Sequence, residues 1–303
     1  MLRAESFLTP PRVYPIREIS DLAEIPTTTI SGLCDGCSES SLEAHSQDGT
    51  SIPISLVSPK DPLGVVVHVY GAYGISSYAT FSPSTVSLVN HGIAVAIAHV
   101  RGGGELGPSW HTQTLGGNKQ RSIDDIRAAT KHLQNVLRLS PQQTILSGRS
   151  AGGLLVSYAA LTTPGLCGSL ILDAPLLDLA YILEDSSLPL HEREVHEWGR
   201  SILNPLAGYS QVPPILISLN ILLHVPLRDE LIPPETSLRW AHRALCTLDP
   251  ESLLLVSVSA HGQHAGPLAQ NEQEEWDSLQ EVFARIVTTR NTPQPTHTPM
   301  NEA

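Results

Sequence analysis

Gly148-Arg149-Ser150-Ala151-Gly152 has the pattern G-x-S-x-G. It lies between an apolar run of strand character, TILSG (144–148), and a segment of helical character, LLVSYAALT (154–162). In that setting a serine can act as a nucleophile. A tight, strained turn lifts its hydroxyl above the sheet, and small neighbours let the backbone pass closely. The following helix aims its N-terminus and free N–H groups at the same place, which suits a developing oxyanion. A serine hydroxyl is a weak nucleophile, so a base must take its proton and an acid must orient the base. In this kind of site the acid and then the base follow the serine along the chain, each after a later strand. Asp229, in RDELIPPE, follows the apolar segment ILISLN (215–220), and Asp173 ends SLILDAP (169–175). After LLLVSVS (253–259) comes His261-Gly262-Gln263-His264-Ala265-Gly266. His261 is nearer the strand end and His264 is the alternative.

Those residues need a frame. SIPISLV (51–57) alternates as a strand does. GVVVHVYG (64–71) and IAVAIAHV (93–100) are apolar runs of buried-strand length. Ser122 to Leu139 reads as a helix, with Ser122 as its cap, Asp125 three residues on, and Ile123, Ile126, Leu133 and Leu137 on one face. Further helices are expected near Ser237 to Leu245 and Glu272 to Thr288. Buried strands alternating with helices predict a parallel sheet covered on both faces.

The chain has 303 residues, enough for one large core. Its 18 basic and 30 acidic residues give a net charge of −12, which argues against nucleic acid or an anionic membrane as a partner. No apolar run has the length of a membrane span. The first residues lack the basic-then-apolar pattern of a secretory signal, so a cytoplasmic protein is expected. The four cysteines, Cys34, Cys37, Cys167 and Cys246, are accordingly expected as free thiols. Residues 1–45 are rich in Ser, Thr and Pro, and the Pro-containing tail 291–303 reads as disordered.

Several stretches together resemble one family. They are DGTSIPISLV (48–57), YGAYGIS (70–76), AIAHVRGGGELG (96–107), GRSAGGLL (148–155), PLLD (175–178) and LPLHEREVHEWG (188–199). In this order they resemble the catalytic domain of the prolyl oligopeptidase family of serine peptidases, above all its oligopeptidase B branch. The resemblance runs from about residue 45 to 290. It implies a doubly wound, mostly parallel α/β-hydrolase domain over 46–290 that cleaves short peptides and needs no metal or cofactor. It assigns Ser150 as nucleophile, Asp229 as acid and His261 as base. Tyr70 and the Ala151 N–H are assigned to the oxyanion hole, and Tyr73, Glu194 and Trp198 to the substrate. A carboxylate at Glu194 implies cleavage after Arg or Lys, since it can hold a guanidinium by charged hydrogen bonds. His196 stands where a second glutamate is usual.

The chain departs from the family in three places. Residues 5–30 resemble only the last strands and hinge of the family's β-propeller. The propeller itself is missing, so the site is expected to be open or covered by a separate capping chain or a second copy. The spacing from Pro214 to Asp229 is several residues longer than usual, with ILLHVP reading as an insertion. Leu231 and Pro233 follow Asp229 where the family has Asp-x-Arg-Val, so an arginine that helps bind the substrate backbone is absent. Peptide binding should suffer more from this than hydrolysis of a small ester or amide. A catalytically impaired remnant acting as a binding partner is the remaining alternative.

Two other motifs carry less. Gly102 to Gly107 fits G-x-G-x-x-G, but Pro108 and a polar stretch follow where a dinucleotide loop would open a helix, so a structural turn is expected. Cys34-x-x-Cys37 has no second cysteine pair or nearby histidine and reads as a solvent loop. Asp124 and Asp125 are expected to sit at a helix start, where acids favour the dipole.

Overall fold

A computed structural model of the chain describes residues 2–14, 34, 36–184, 186, 191–200, 218–264 and 270–290. The tail 291–303, residues 15–30 of the expected hinge segment and residues 214–217, with Pro214 and the start of ILISLN, lie outside the described residues.

Ten strands are described. The first two, β1 (Leu2–Ala4) and β2 (Arg12–Tyr14), form an antiparallel pair of their own. The other eight make one sheet: β3 (Cys37–His45), β4 (Ser51–Pro59), β5 (Gly64–Val69), β6 (Ile93–Ala98), β7 (Thr144–Arg149), β8 (Ser169–Asp173), β9 (Asn220–Pro226) and β10 (Leu254–Ser259). Their order across the sheet is β10-β9-β8-β7-β5-β6-β4-β3. From β6 to β10 every pairing is parallel; β4 joins β6, and β3 joins β4, antiparallel. This is the expected α/β architecture. The sheet begins earlier than expected, however, because β3 lies within the segment read as an extension. Phe7 and Leu8 are also part of the core, and Glu39 fixes them by accepting from Ser6 Oγ at 2.8 Å and Leu8 N–H at 3.0 Å.

Alternation along the parallel strands supplies two apolar layers. On β6, Ala94, Ala96 and Ala98 face one core and Ile93, Val95 and Ile97 the other. The described helices are α1 (Pro83–Asn90), α2 (Pro108–Thr112), α3 (Gln120–Leu137), α4 (Ala151–Leu161), α5 (Leu179–Glu184), α6 (His191–Trp198), α7 (Pro234–Leu245) and α8 (Gln270–Arg290). The small alanines lie on the same side as α3 and α4; the larger residues pack with α1 and α8. Burial on both faces is why these strands read as unbroken apolar runs rather than alternating ones.

Three local readings change. The segment taken as an insertion, ILLHVP, is the body of β9 itself. The strand was expected at ILISLN, and it lies several residues later. In α3, Ser122 is inside the helix, not at its cap, and donates to the Arg101 carbonyl at 2.7 Å. Asp125 is fully buried and takes both Nε (2.9 Å) and Nη2 (2.6 Å) of Arg101. It therefore acts as an ion-pair partner and not through the helix dipole. Cys34 and Cys37 are joined as a disulfide, their Cα atoms 5.7 Å apart, within the ordinary range for such a bridge. Cys167 and Cys246 are free, and burial pushes the Cys167 thiol up to about 12.

Candidate active site

The sheet reverses its order of growth at β5 and β7, which are neighbours although β6 comes between them in sequence. Such a switch point opens a crevice at the carboxyl ends of the strands. Tyr70 follows β5 there and Ser150 follows β7.

Ser150 has φ 52° and ψ −123°, a conformation costly for any residue with a Cβ. Its neighbours hold it. Ser150 N–H donates to the Asp173 carbonyl at 3.0 Å, and the Ser150 carbonyl accepts from Gly153 and Leu176 N–H, each at 3.0 Å. The motif's glycines answer to crowding. A Cβ on Gly148 would stand 2.4 Å from the Gly152 backbone, and one on Gly152 would stand 2.3 Å from the Val69 carbonyl. The turn is thus wedged between β5 and α4 with no room for side chains beside the serine.

His264, not His261, reaches the serine. Its Nε2 lies 2.9 Å from Ser150 Oγ and its Nδ1 2.7 Å from Asp229 Oδ2. His261 is exposed at the end of β10, and its N–H donates to Glu272 at 3.2 Å. The chain turns after it, with Arg228 N–H bonded to the Gly262 carbonyl at 3.0 Å, and this turn carries His264 over Ser150. Counting residues from the strand end selects the wrong histidine because the loop folds back before it delivers the ring. Asp229 is buried, with 2% of its side chain exposed, and its Oδ1 accepts from Leu231 N–H (2.9 Å) and Ile232 N–H (2.7 Å). These bonds fix the carboxylate for His264. Leu231 contributes its backbone, whatever its side chain.

Asp173, the rival acid, has a different task. It accepts from His224 Nδ1 at 2.7 Å and pairs with Arg149, whose Nη2 donates to the His264 carbonyl at 2.8 Å. Burial pushes the Asp173 carboxyl up, but His224 and Arg149 pull it down further, so it lies below the usual carboxylate range. Arg149, the variable residue of G-x-S-x-G, thereby holds the backbone of the histidine loop. Nothing in its sequence position announces this.

The two groups assigned to the oxyanion hole adjoin the serine in the fold. Ala151 is the first residue of α4, where an N–H has no partner within the helix. Tyr70 follows β5 at the same crevice, and burial raises the pKa of its phenol, keeping it a neutral donor.

The three residues assigned to the substrate behave differently. Trp198, on α6 (His191–Trp198), is fully buried and turns its Nε1 to Glu194 Oε2 at 2.9 Å. It therefore supports the site from inside and does not touch a substrate. Tyr73 donates its hydroxyl to the same Glu194 oxygen at 2.7 Å, and its φ is 55°. Glu194 is 9% exposed. Glu197, which the sequence reading passed over, ties the region together. It accepts from Tyr73 N–H at 2.9 Å, bonds His111 Nε2 at 2.7 Å and pairs with buried Lys119. Burial pushes the Glu197 carboxyl up; Lys119, Tyr73 N–H and His111 together pull it down by more, leaving it below the ordinary range.

Among the described residues no group of three or more His, Cys, Asp and Glu is placed to hold a metal ion, and no helix is long and apolar enough to cross a membrane. The glycine-rich loop 102–107 is a turn. A Cβ on Gly102 would stand 2.1 Å from the Gly71 carbonyl and one on Gly104 2.2 Å from the Gly74 carbonyl, so these glycines let two loops beside Tyr70 and Tyr73 pass each other.

The chain is similar to known proteins in sequence and in fold. The chain is 38% identical over 173 residues to the prolyl endopeptidase-like protein of Xenopus laevis, covering 55% of this chain and 24% of that one. It is 30% identical over 241 residues to an uncharacterised peptidase of Sinorhizobium fredii, covering 74% and 32%. The chain thus spans a quarter to a third of these relatives' length. Among solved structures it is similar to oligopeptidase B from Leishmania major, with a TM-score of 0.76 and 25% identity over 85% of this chain and 37% of that one. Oligopeptidase B from Trypanosoma brucei gives a TM-score of 0.73 and 26% identity. A family model of the prolyl oligopeptidase family matches residues 79–288, which take in Ser150, Asp229 and His264, and the chain belongs to that family.

Proposed function

We propose that this domain is a serine peptidase that hydrolyses short peptides through an acyl-enzyme. The observation that carries the reading is the continuous line of Ser150 Oγ, His264 and Asp229 at 2.9 and 2.7 Å. His264, with Nδ1–H turned to Asp229, takes the Ser150 proton on Nε2 as Oγ attacks the carbonyl carbon. Negative charge gathers on the carbonyl oxygen, where Tyr70 and the Ala151 N–H receive it. The tetrahedral intermediate collapses and the leaving amine takes the proton from His264. Water then repeats the sequence on the ester and frees the acid.

The finer expectation, cleavage after Arg or Lys, rests on Glu194. A basic side chain there would compete with Tyr73 and Trp198 for Oε2. A second reading, hydrolysis of small esters or amides, is favoured by Leu231 standing where the family places a substrate-binding arginine.

The test is covalent labelling with a fluorophosphonate, mapped by mass spectrometry. Ser150 is expected to be labelled in the parent chain and in His261→Ala, and unlabelled in His264→Ala. A cooperatively melting protein that leaves Ser150 unlabelled would refute the reading.

A further inference from the structure

Glu194 and Glu197 give α6 an acidic look in sequence, but neither presents an open charge. Glu197 is 2% exposed and paired with Lys119, and Glu194 is buried between the Tyr73 hydroxyl and the Trp198 indole. Arg193, one residue earlier, is exposed. Its guanidinium carbon lies 4.7 Å from the centre of the Tyr73 ring, a cation lying over an aromatic face. The Tyr73 ring is in turn 6.4 Å from the Tyr70 ring, and Tyr70 follows β5 at the crevice where Ser150 follows β7. Arg193 therefore lays a positive charge on the face of Tyr73, the ring that packs toward Tyr70, while Glu194 and Glu197 are spent on buried partners.

We propose that Arg193 is a specificity-determining residue that disfavours Arg or Lys before the scissile bond and favours a neutral or acidic side chain there. This rests on the hydrolase reading and reverses the preference that Glu194 alone implies. A substrate guanidinium would have to share the Tyr73 face with a guanidinium already on it, whereas a substrate carboxylate can pair with Arg193. Because Arg193 is exposed, the discrimination is about tenfold at low salt and shrinks as salt screens it.

The experiment uses matched N-acetyl-dipeptidyl esters ending in Arg, Ala or Glu. The parent chain is expected to show higher kcat/KM on the Glu and Ala esters than on the Arg ester. In Arg193→Ala the Arg-to-Glu ratio should rise by about tenfold, in Arg193→Glu further, and Arg193→Lys should keep the parent order. A parent that takes the Arg ester best, or a ratio unmoved by Arg193→Glu, overturns the proposal. Binding is measured alongside, by fluorescence anisotropy of fluorescein-labelled peptides ending in the same residues, on Ser150→Ala with and without Arg193→Glu. The Glu peptide should bind tighter than the Arg peptide, and the order should invert with Arg193→Glu. Equal binding, a tighter Arg peptide or no binding overturns the proposal. Loss of all turnover and labelling with that binding order intact would refute the hydrolase reading and leave the assignment of Arg193 standing.

Discussion

At the residue scale, the two histidines of the HGQH turn lie three positions apart and have different surroundings. His264 touches Ser150 and Asp229, while His261 points its backbone at Glu272 and leaves its ring exposed. His264→Ala should lower kcat by at least ~10³-fold, because the serine loses both its base and the later proton donor. His261→Ala should stay near the parent rate. Tyr70→Phe removes one of two oxyanion donors and should lower kcat by ~10²-fold with little change in KM. Steady-state kinetics on one small ester checks all three, and a His261→Ala variant as inactive as His264→Ala would contradict the geometry. The sequence made the serine legible because it sits at a fixed offset from a strand end, whereas the acid stood as Asp229 with Asp173 as a rival, its strand being read several residues too early. The base was legible only as a pair. Which ring arrives depends on how the turn folds against Arg228 and Arg149, contacts made by residues far apart in the chain.

At the element scale, strand–turn–helix alternation was readable along most of the chain, since strands buried on both faces advertise themselves as apolar runs. The exception is instructive. ILISLN and ILLHVP are both apolar and adjacent, so composition cannot say which one pairs with β8. The register that pairs Ile221 with Leu170 and Leu223 with Leu172 settles it, and it brings Asp229 within reach of His264 with no insertion to absorb. The tie between α6 and the loop carrying Tyr73 was not readable at all. It runs through Lys119 and Glu197, whose side chains are 1% and 3% exposed. Buried charges are unusual, and nothing in the local pattern of either residue marks it as such. Glu197→Gln leaves an ammonium in the interior without its counter-charge and should destabilise the domain by about 3–5 kcal/mol. The double variant Lys119→Met, Glu197→Gln should recover most of that loss, because removing a buried pair together is far less costly than breaking it. Thermal melts of the two variants decide it; a double variant no more stable than the single would show that the tie acts through Tyr73 N–H and His111 instead.

At the scale of the whole molecule, several buried ionisable groups give folding stability one common dependence on pH. His68 sits half-buried on β5, beside a cavity of about 410 Å³, and burial lowers its imidazole from 6.5 to about 4. Between those values the unfolded chain binds a proton that the folded chain refuses, so stability is lost as pH falls through that window. Above it, both states are neutral at His68 and the contribution is flat. Asp173 and Glu197 act lower down. Each lies below its ordinary carboxylate value in the fold, so its stabilisation is present above that ordinary value and disappears as acid titrates the folded form. The two effects have the same sign and follow one another. The melting temperature should hold level from pH 8 to about 6.5, decline from there to about 4 and fall more steeply below. His68→Leu should flatten the middle section and leave the steep acid limb in place, since the limb belongs to carboxylates lowered in the fold, Asp48 beside Arg101 as well as Asp173 and Glu197. Melts of both proteins across the range test this directly. A middle section unchanged in His68→Leu would mean that the imidazole is solvated through the cavity and charges in the folded protein as readily as in the unfolded one. Proximity of that cavity to Tyr70 and Gly148 would then make water at the back of the elbow, not apolar packing, the setting in which Ser150 is held.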